Sequence, residues 1–271
     1  MKKLAVWKKL LIVLGALVAV VAIVAASVFG TVAYLTASSK VSNVFTVGNV
    51  YIEMFESKVD SEGKIDRTAS PLGAKKNSDG NSYHLVPGNS YDKDPTIYVQ
   101  ANSEAAYLFL LVRNDIRSIE VQNDDSKLTM KKQMEANGWK EYGYAKPSTG
   151  TYAWVYYGFK TDESGNYLDA NGAVTTDLSK RVYNDEPAGV KGGASGAAID
   201  TFTEFHIASN ADVSIYGGAG VTLTAIGIQA KGFDGKKDSN GNPIPPINAA
   251  WDAVVETYPF IYDIQHGSNN A

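Results

Sequence analysis

Ala105–Arg113, AAYLFLLVR, is an almost unbroken apolar run that stops on a charge. Such a run suits a strand that is covered on both faces, or a central strand in a sandwich, because a half-exposed strand would alternate polar and apolar residues. Outward from it the chain repeats the same vocabulary. Asn43–Phe55 (NVFTVGNVYIEMF) is long, rich in β-branched and aromatic residues, and free of proline. Thr96–Val99, Thr151–Phe159 (TYAWVYYGF), Thr201–Ile207 (TFTEFHI) and Val221–Gln229 (VTLTAIGIQ) complete the expected strands. Turn chemistry separates them: Asp79-Gly80, Pro87-Gly88, Asn171-Gly172, Gly217-Gly218 and Asp234-Gly235 are pairs that accept tight or left-handed backbone.

Two segments read as helices. Asp124–Asn137 opens on acidic residues, which suit a helix N-terminus, and stops at Gly138, placed as a C′ glycine. Leu128, Met134 and Met130 are expected to face inward. Asn248–Tyr258 lies between Pro245-Pro246 and Pro259, with Trp251, Val254 and Val255 on one stripe. The fold class expected is therefore mainly β: an antiparallel β-sandwich with two peripheral helices. Ser57–Ser82, Asp162–Thr176 and Asp185–Ala198 read as loops, the second as a hairpin tip. The third is rich in Gly and Ala, has little to bury and is expected to be mobile.

The N-terminus carries a different message. Lys2, Lys3, Lys8 and Lys9 form a basic head, and no charged residue follows from Leu10 to Ser39. A basic head before an apolar run is the pattern that inserts into a membrane with the head left in the cytoplasm. The run exceeds the usual signal core of about 7–15 residues and reaches the roughly 20 that span a bilayer. Two outcomes follow: cleavage after Thr31-Val32-Ala33, leaving Tyr34 as the first mature residue, or retention as an anchor. Ala25-Ala26-Ser27 and Gly30 offer earlier bonds. Cleavage is the expected outcome, and the mature protein is expected to be secreted, in the extracellular matrix or at the cell surface.

Removing the first 33 of 271 residues leaves 238, enough for one large domain with a real core or for two small ones. Four lysines leave with the signal, so the net charge of −4 becomes −8. An acidic chain without a basic stripe is a poor nucleic-acid binder. There is no cysteine, which removes disulfides, thiolate nucleophiles and Cys–zinc sites.

Three pieces, taken in order, carry a family resemblance. They are the junction Gly30-Thr-Val-Ala-Tyr-Leu-Thr-Ala with Asn43-Val-Phe-Thr-Val-Gly-Asn-Val-Tyr-Ile-Glu; Leu85-Val-Pro-Gly-Asn-Ser-Tyr-Asp-Lys-Asp-Pro-Thr-Ile with Ser103-Glu-Ala-Ala-Tyr-Leu-Phe-Leu; and Ala225-Ile-Gly-Ile-Gln-Ala-Lys-Gly-Phe-Asp with Ala250-Trp251. In these the chain resembles the TasA/camelysin family of secreted bacterial proteins. The signal peptide of that family is cut by a W-type signal peptidase, and many members build biofilm matrix fibres. The resemblance implies a jelly-roll-like sandwich that polymerises head to tail by donor-strand exchange. It gives this division: residues 1–33 signal peptide, 34–43 donor segment, and 44–271 sandwich with loop insertions near 57–82 and 162–198. Thr31, Ala33 and Tyr34 flank the cleaved bond. Tyr34, Leu35, Val41 and Val44 would enter the groove of the next copy. The implied partners are a second copy of the chain, the signal peptidase during export and other matrix proteins, with membrane contact only through the signal helix. The competing reading of the same segment is a plain exit linker.

Other chemistry has thin support. Camelysin-type members have been described as casein-cleaving metalloproteases, yet no His-Glu-x-x-His occurs, and His84, His206 and His266 are not at ligand spacing. Glu204 and His206 share one face of an expected strand, which supplies two ligands at most and more simply gives a hydrogen-bonded, half-exposed imidazole. Asp60-Ser-Glu62-Gly63, Asp162-Glu163-Ser164-Gly-Asn166 and Asp238-Ser-Asn240-Gly-Asn242 are oxygen-rich, but none has EF-hand spacing and all have the residues of tight turns. Ser195 lies in a glycine-rich loop with no Gly-x-Ser-x-Gly. Tyr152, Trp154 and Tyr156 lie on one side of a strand, where core packing competes with a carbohydrate-binding face. No catalytic, cofactor or metal site is assigned. The expected function is structural, with a camelysin-type protease and a membrane-tethered adhesin or carbohydrate-binding module as rivals.

Overall fold

The computed structural model describes residues 36–47, 49–65, 76–77, 80–121, 127–146 and 150–257; of 36–47, 76–77, 144–146 and 257 it describes the backbone alone. The strands are β1 Thr36–Val47, β2 Ile52–Ser57, β3 Lys76–Asn77, β4 Ser82–His84, β5 Ser90–Asp92 and β6 Thr96–Val99. They continue with β7 Ala106–Asn114, β8 Trp139–Lys146, β9 Thr151–Tyr156, β10 Ala197–Asp200, β11 Glu204–His206 and β12 Gly220–Gln229. Two α-helices, α1 Met130–Ala136 and α2 Pro246–Thr257, accompany them among the described residues. Six strands form one sheet in the order β4-β1-β12-β7-β9-β8; four form another, β10-β6-β2-β3; β11 and β5 pair separately. The architecture is a β-sandwich with two helices.

β7 explains its own sequence. Leu108, Leu110 and Val112 point between the sheets, where they meet Ile97, Val99, Leu223 and Trp154. Phe109 and Leu111 point the other way, into a second cluster with Val155, Ile226 and α2 residues Trp251 and Val254. Successive side chains of a strand alternate faces, so covering both faces requires the continuous apolar run. The sheets pack tightly at Gly227, where a Cβ would stand 3.0 Å from Val50 Cγ1 and 3.1 Å from Ile52 Cδ1.

Several expectations need correction. Asn43–Phe55 is not one strand: β1 ends at Val47 and β2 begins at Ile52, with Val50 buried between them. The sheet is not wholly antiparallel, because β1 runs parallel to β12. Parallel neighbours need a long connection, and almost the whole domain separates these two. The first helix begins six residues later than Asp124. Its N-cap is Thr129, whose hydroxyl accepts from Lys132 N, and Leu128 is exposed while Met130 and Met134 are buried. A short polar side chain that satisfies a free N–H sets the start more firmly than acidic residues do. Gly138 takes φ +93°, as a C′ glycine should. Of Thr201–Ile207 only Glu204–His206 is strand. β3, β4, β5, β8 and β10 lie outside the strands that the sequence predicts.

The Asp185–Ala198 segment is docked along part of its length. Val190 exchanges both backbone hydrogen bonds with Ala106, at 2.9 and 2.8 Å, and Gly193 O accepts from Asn102 N at 2.8 Å. The hairpin tip expected at Asp162–Thr176 is two successive turns, closed by the bridges Thr161–Tyr167 and Leu168–Val174.

Candidate functional site: the slot of the N-terminal strand

β12 is the central strand that builds this site. On one side it pairs antiparallel with β7 over its whole length, from Val221 opposite Asn114 to Gln229 opposite Ala106. Its other edge is filled by β1. Ser38–Val41 align with Gly220–Leu223, and Val44–Val47 with Ala225–Ile228; the register shifts between Val41 and Val44. On its far side β1 pairs antiparallel with β4, Thr36 opposite His84 and Ser38 opposite Ser82. β1 is thus an interior strand at its start and lies along one neighbour thereafter.

This arrangement has a clear physical consequence. Without β1, the outer edge of β12 would present a row of unsatisfied N–H and C=O groups between Gly220 and Ile228. Leu223 and Ala225, which lie opposite Val41 and Val44, are wholly buried in the core between the sheets. Backbone groups define that edge, so what fills it need only be extended and run in the parallel sense, as β1 does.

Of the residues named from the sequence, Val41 and Val44 stand in β1, three positions apart on either side of the register shift. Thr31, Ala33, Tyr34 and Leu35 lie outside the described residues, as do the whole apolar N-terminal run, Asp124-Asp125 and His266. Among the described residues no helix is long and apolar enough to cross a membrane. β4 was missed in the sequence although its signal was present: Asn81, Tyr83 and Leu85 are buried and Ser82 and His84 exposed, a period of two.

The remaining candidates are dispersed. His206 is buried rather than half exposed. Its Nδ1 lies 2.7 Å from Ser90 Oγ and its Nε2 3.4 Å from Glu204 Oε1. Burial pushes its pKa below the ordinary imidazole value, with Lys127 and Lys64 acting the same way against Glu204. His84 is exposed elsewhere, and among the described residues no three His, Cys, Asp or Glu converge on a cation position. The Asp loops consume their own carboxylates. Asp162 Oδ1 accepts from Ser164 N at 2.9 Å and Asn166 N at 2.8 Å, and Asp238 Oδ1 from Asn240 N and Asn242 N, both at 2.8 Å. Those hydrogen bonds hold both carboxyls below the usual range, the asparagine side chain contributing most. Ser195 is exposed and offers only its carbonyl, to Tyr98 OH at 2.6 Å. Trp154 is buried, with Tyr152 and Tyr156 packed against the same core, so this stripe is packing.

Comparisons with protein-family models, with curated proteins and with solved structures gave no significant match.

Proposed function

We propose that this chain is a secreted structural subunit of a bacterial biofilm matrix, which polymerises into fibres when the segment freed by signal cleavage fills the slot beside β12 in a neighbouring copy. One observation supports this reading above the others. The segment just past the apolar N-terminal run is an integral strand of the sheet, and it pairs with a strand near the opposite end of the chain. A plain exit linker has no reason to complete a core sheet. Because β1 is the first described strand and pairs parallel to β12, exchanging it between copies replaces one set of ladder hydrogen bonds by an equal set and closes no loop within the subunit. The family resemblance points the same way.

The test is electron microscopy of the mature chain beside a variant lacking Tyr34–Asn43. Fibres from the first and soluble monomers from the second are expected; fibres from both would overturn the mechanism. Casein hydrolysis by the pure protein, abolished by chelator, would overturn the structural role itself.

A further inference from the structure

A second cluster lies outside the β1 slot and is the most deeply buried set of ionisable groups in the described residues. Glu56 of β2 and Lys93, just after β5, form an ion pair in which neither side chain retains solvent exposure. The other oxygen of the same carboxyl, Oε1, accepts from Asn81 Nδ2 at 2.8 Å. One carboxyl group therefore bridges an amine and a primary amide. The amide is held on its remaining sides: Nδ2 also donates to Ser57 O at 2.8 Å, and Oδ1 accepts from Val59 N at 3.2 Å. Asn81 is itself buried, and the next residues along, Tyr83 and Tyr91, pack with Phe205 in an aromatic cluster.

Burying two charges costs several kcal/mol per ion before their attraction is counted, and apolar residues of equal size often serve stability better. The arrangement therefore calls for a use. Burial drives the Lys93 amine down and the Glu56 carboxyl up, toward the neutral amine and the protonated acid. A neutral lysine is a nucleophile, and a carboxyl between nucleophile and leaving group is a proton shuttle. The Val59 N–H is placed where negative charge develops on Oδ1.

We propose that Lys93 and Asn81 join in an intramolecular isopeptide bond, with Glu56 as its proton-transfer catalyst. Lys93 Nζ attacks Asn81 Cγ, forming the Nζ–Cγ bond. The Glu56 acid gives its proton to Nδ2 through Oε1, and the Cγ–Nδ2 bond breaks, releasing ammonia. The proton lost by Nζ returns to Oε2, so Glu56 ends as it began. No oxidant or cofactor enters: an amine and a primary amide become a secondary amide and ammonia. The bond ties the residue that leads into β4 to the chain between β5 and β6. Because β4 covers β1, the staple lies beside the slot of the N-terminal strand. A chain without cysteine has no disulfide to do this.

The experiment is intact-mass and peptide mass spectrometry on the purified protein, referred to its observed N-terminus. The expected result is a mass lower than the sequence mass by one ammonia, and a branched peptide joining Asn81 to Lys93. Full sequence mass in the folded wild type overturns the proposal. So does an ammonia deficit with no branched peptide, which would mark a succinimide at a site such as Asn171-Gly172. Glu56→Gln should retain the full mass while folded; should it not fold, Asn81→Asp provides the second arm, because its bond releases water and leaves a deficit of one water. Folded N81D at full mass would overturn the proposal as surely as unmodified wild type.

Discussion

The indole of Trp251 and the ring of Phe109 stand 4.8 Å apart, centroid to centroid, at an interplanar angle of 45°. Tyr142 closes the group, 5.6 Å from Trp251, and its hydroxyl donates to Asn248 Oδ1 at 2.7 Å. This contact fastens α2 to the outer face of the six-stranded sheet. Trp251→Ala should destabilise the protein by about 3–5 kcal/mol, the range for deleting a large buried aromatic. Trp251→Phe should lose less than about 1.5 kcal/mol: it keeps a ring and removes an indole N–H that is buried with no hydrogen-bond partner among the described residues. Denaturant unfolding of the two variants checks the order.

Gly192 lies against the backbone of Gln100 so closely that a Cβ would stand 1.8 Å from Gln100 O. Gly192→Ala should therefore undock the segment that pairs Val190 with Ala106, at a cost of roughly 1–3 kcal/mol. Gly193, one residue on, has φ +58° but open space around it, so Gly193→Ala should cost about 1–2 kcal/mol through backbone conformation alone. Hydrogen exchange at the Val190 and Ala106 amides separates them: protection should fall far more in the first variant.

His206 should make the protein acid-sensitive. Burial, Lys127 and Lys64 hold its folded pKa low, against the raising effect of Glu204, while Ser90 Oγ contacts Nδ1. Well above the ordinary imidazole pKa of about 6.5 the ring is neutral both folded and unfolded, and contributes no pH dependence. Below that, the unfolded chain takes up a proton that the folded one refuses. Stability then falls as pH falls, by at most about 1.4 kcal/mol per pH unit from this group. Glu120, whose carboxyl is raised by burial, acts in the opposite sense, so the wild-type slope alone is ambiguous. The difference between wild type and His206→Gln between pH 5 and 7 (a window set by the ordinary histidine range) isolates the effect, and equal slopes would refute it.

Much of the sandwich was legible because its central strands are covered on both faces. Thr96–Val99 was read to the residue, and Ala105–Arg113 and Val221–Gln229 to within one. What escaped was set by contacts distant in sequence. β8 carries Lys140 and Glu141 between its aromatics and reads as polar, but Lys140 Nζ sits 3.9 Å from the Tyr157 ring centroid and Lys131 pairs with Glu141. β5 is three residues long and has no apolar run of its own, whereas its partner β11 is the part of the expected Thr201–Ile207 strand that pairs with it. The buried Glu56–Lys93 pair has no signal in the sequence, since nothing local announces a partner 37 positions away.

The turns at Asp162 and Asp238 should be indifferent to divalent cations. Asp162 and Asp238 each spend one oxygen on two backbone N–H groups and the other on an asparagine side chain, at 3.0 Å in both loops. A ligand stabilises only in proportion to its affinity for the folded state. Thermal unfolding in excess calcium and in excess chelator should therefore give the same midpoint. A rise with calcium that vanishes in Asp238→Ala would show that the loop reorganises around the ion.

Ser38 is the position where β1 is paired on both sides, opposite Gly220 of β12 and opposite Ser82 of β4. Proline there removes an N–H and cannot be accommodated at an edge, since Ser38 has none. The lost ladder bond costs on the order of 1 kcal/mol directly. The larger effect should be undocking of β1 from its start, seen as lost amide protection along the β1-facing edge of β12 while β7 stays protected by β9. The same variant separates self-pairing from exchange. A Ser38→Pro chain would still offer the edge of β12 to a neighbour but would donate a defective strand of its own. Added in small proportion to wild type, it should be taken up at a fibre end and stop growth there, shortening fibres in proportion to its fraction. Fibres of unchanged length that contain the variant throughout would mean that β1 serves only its own sheet.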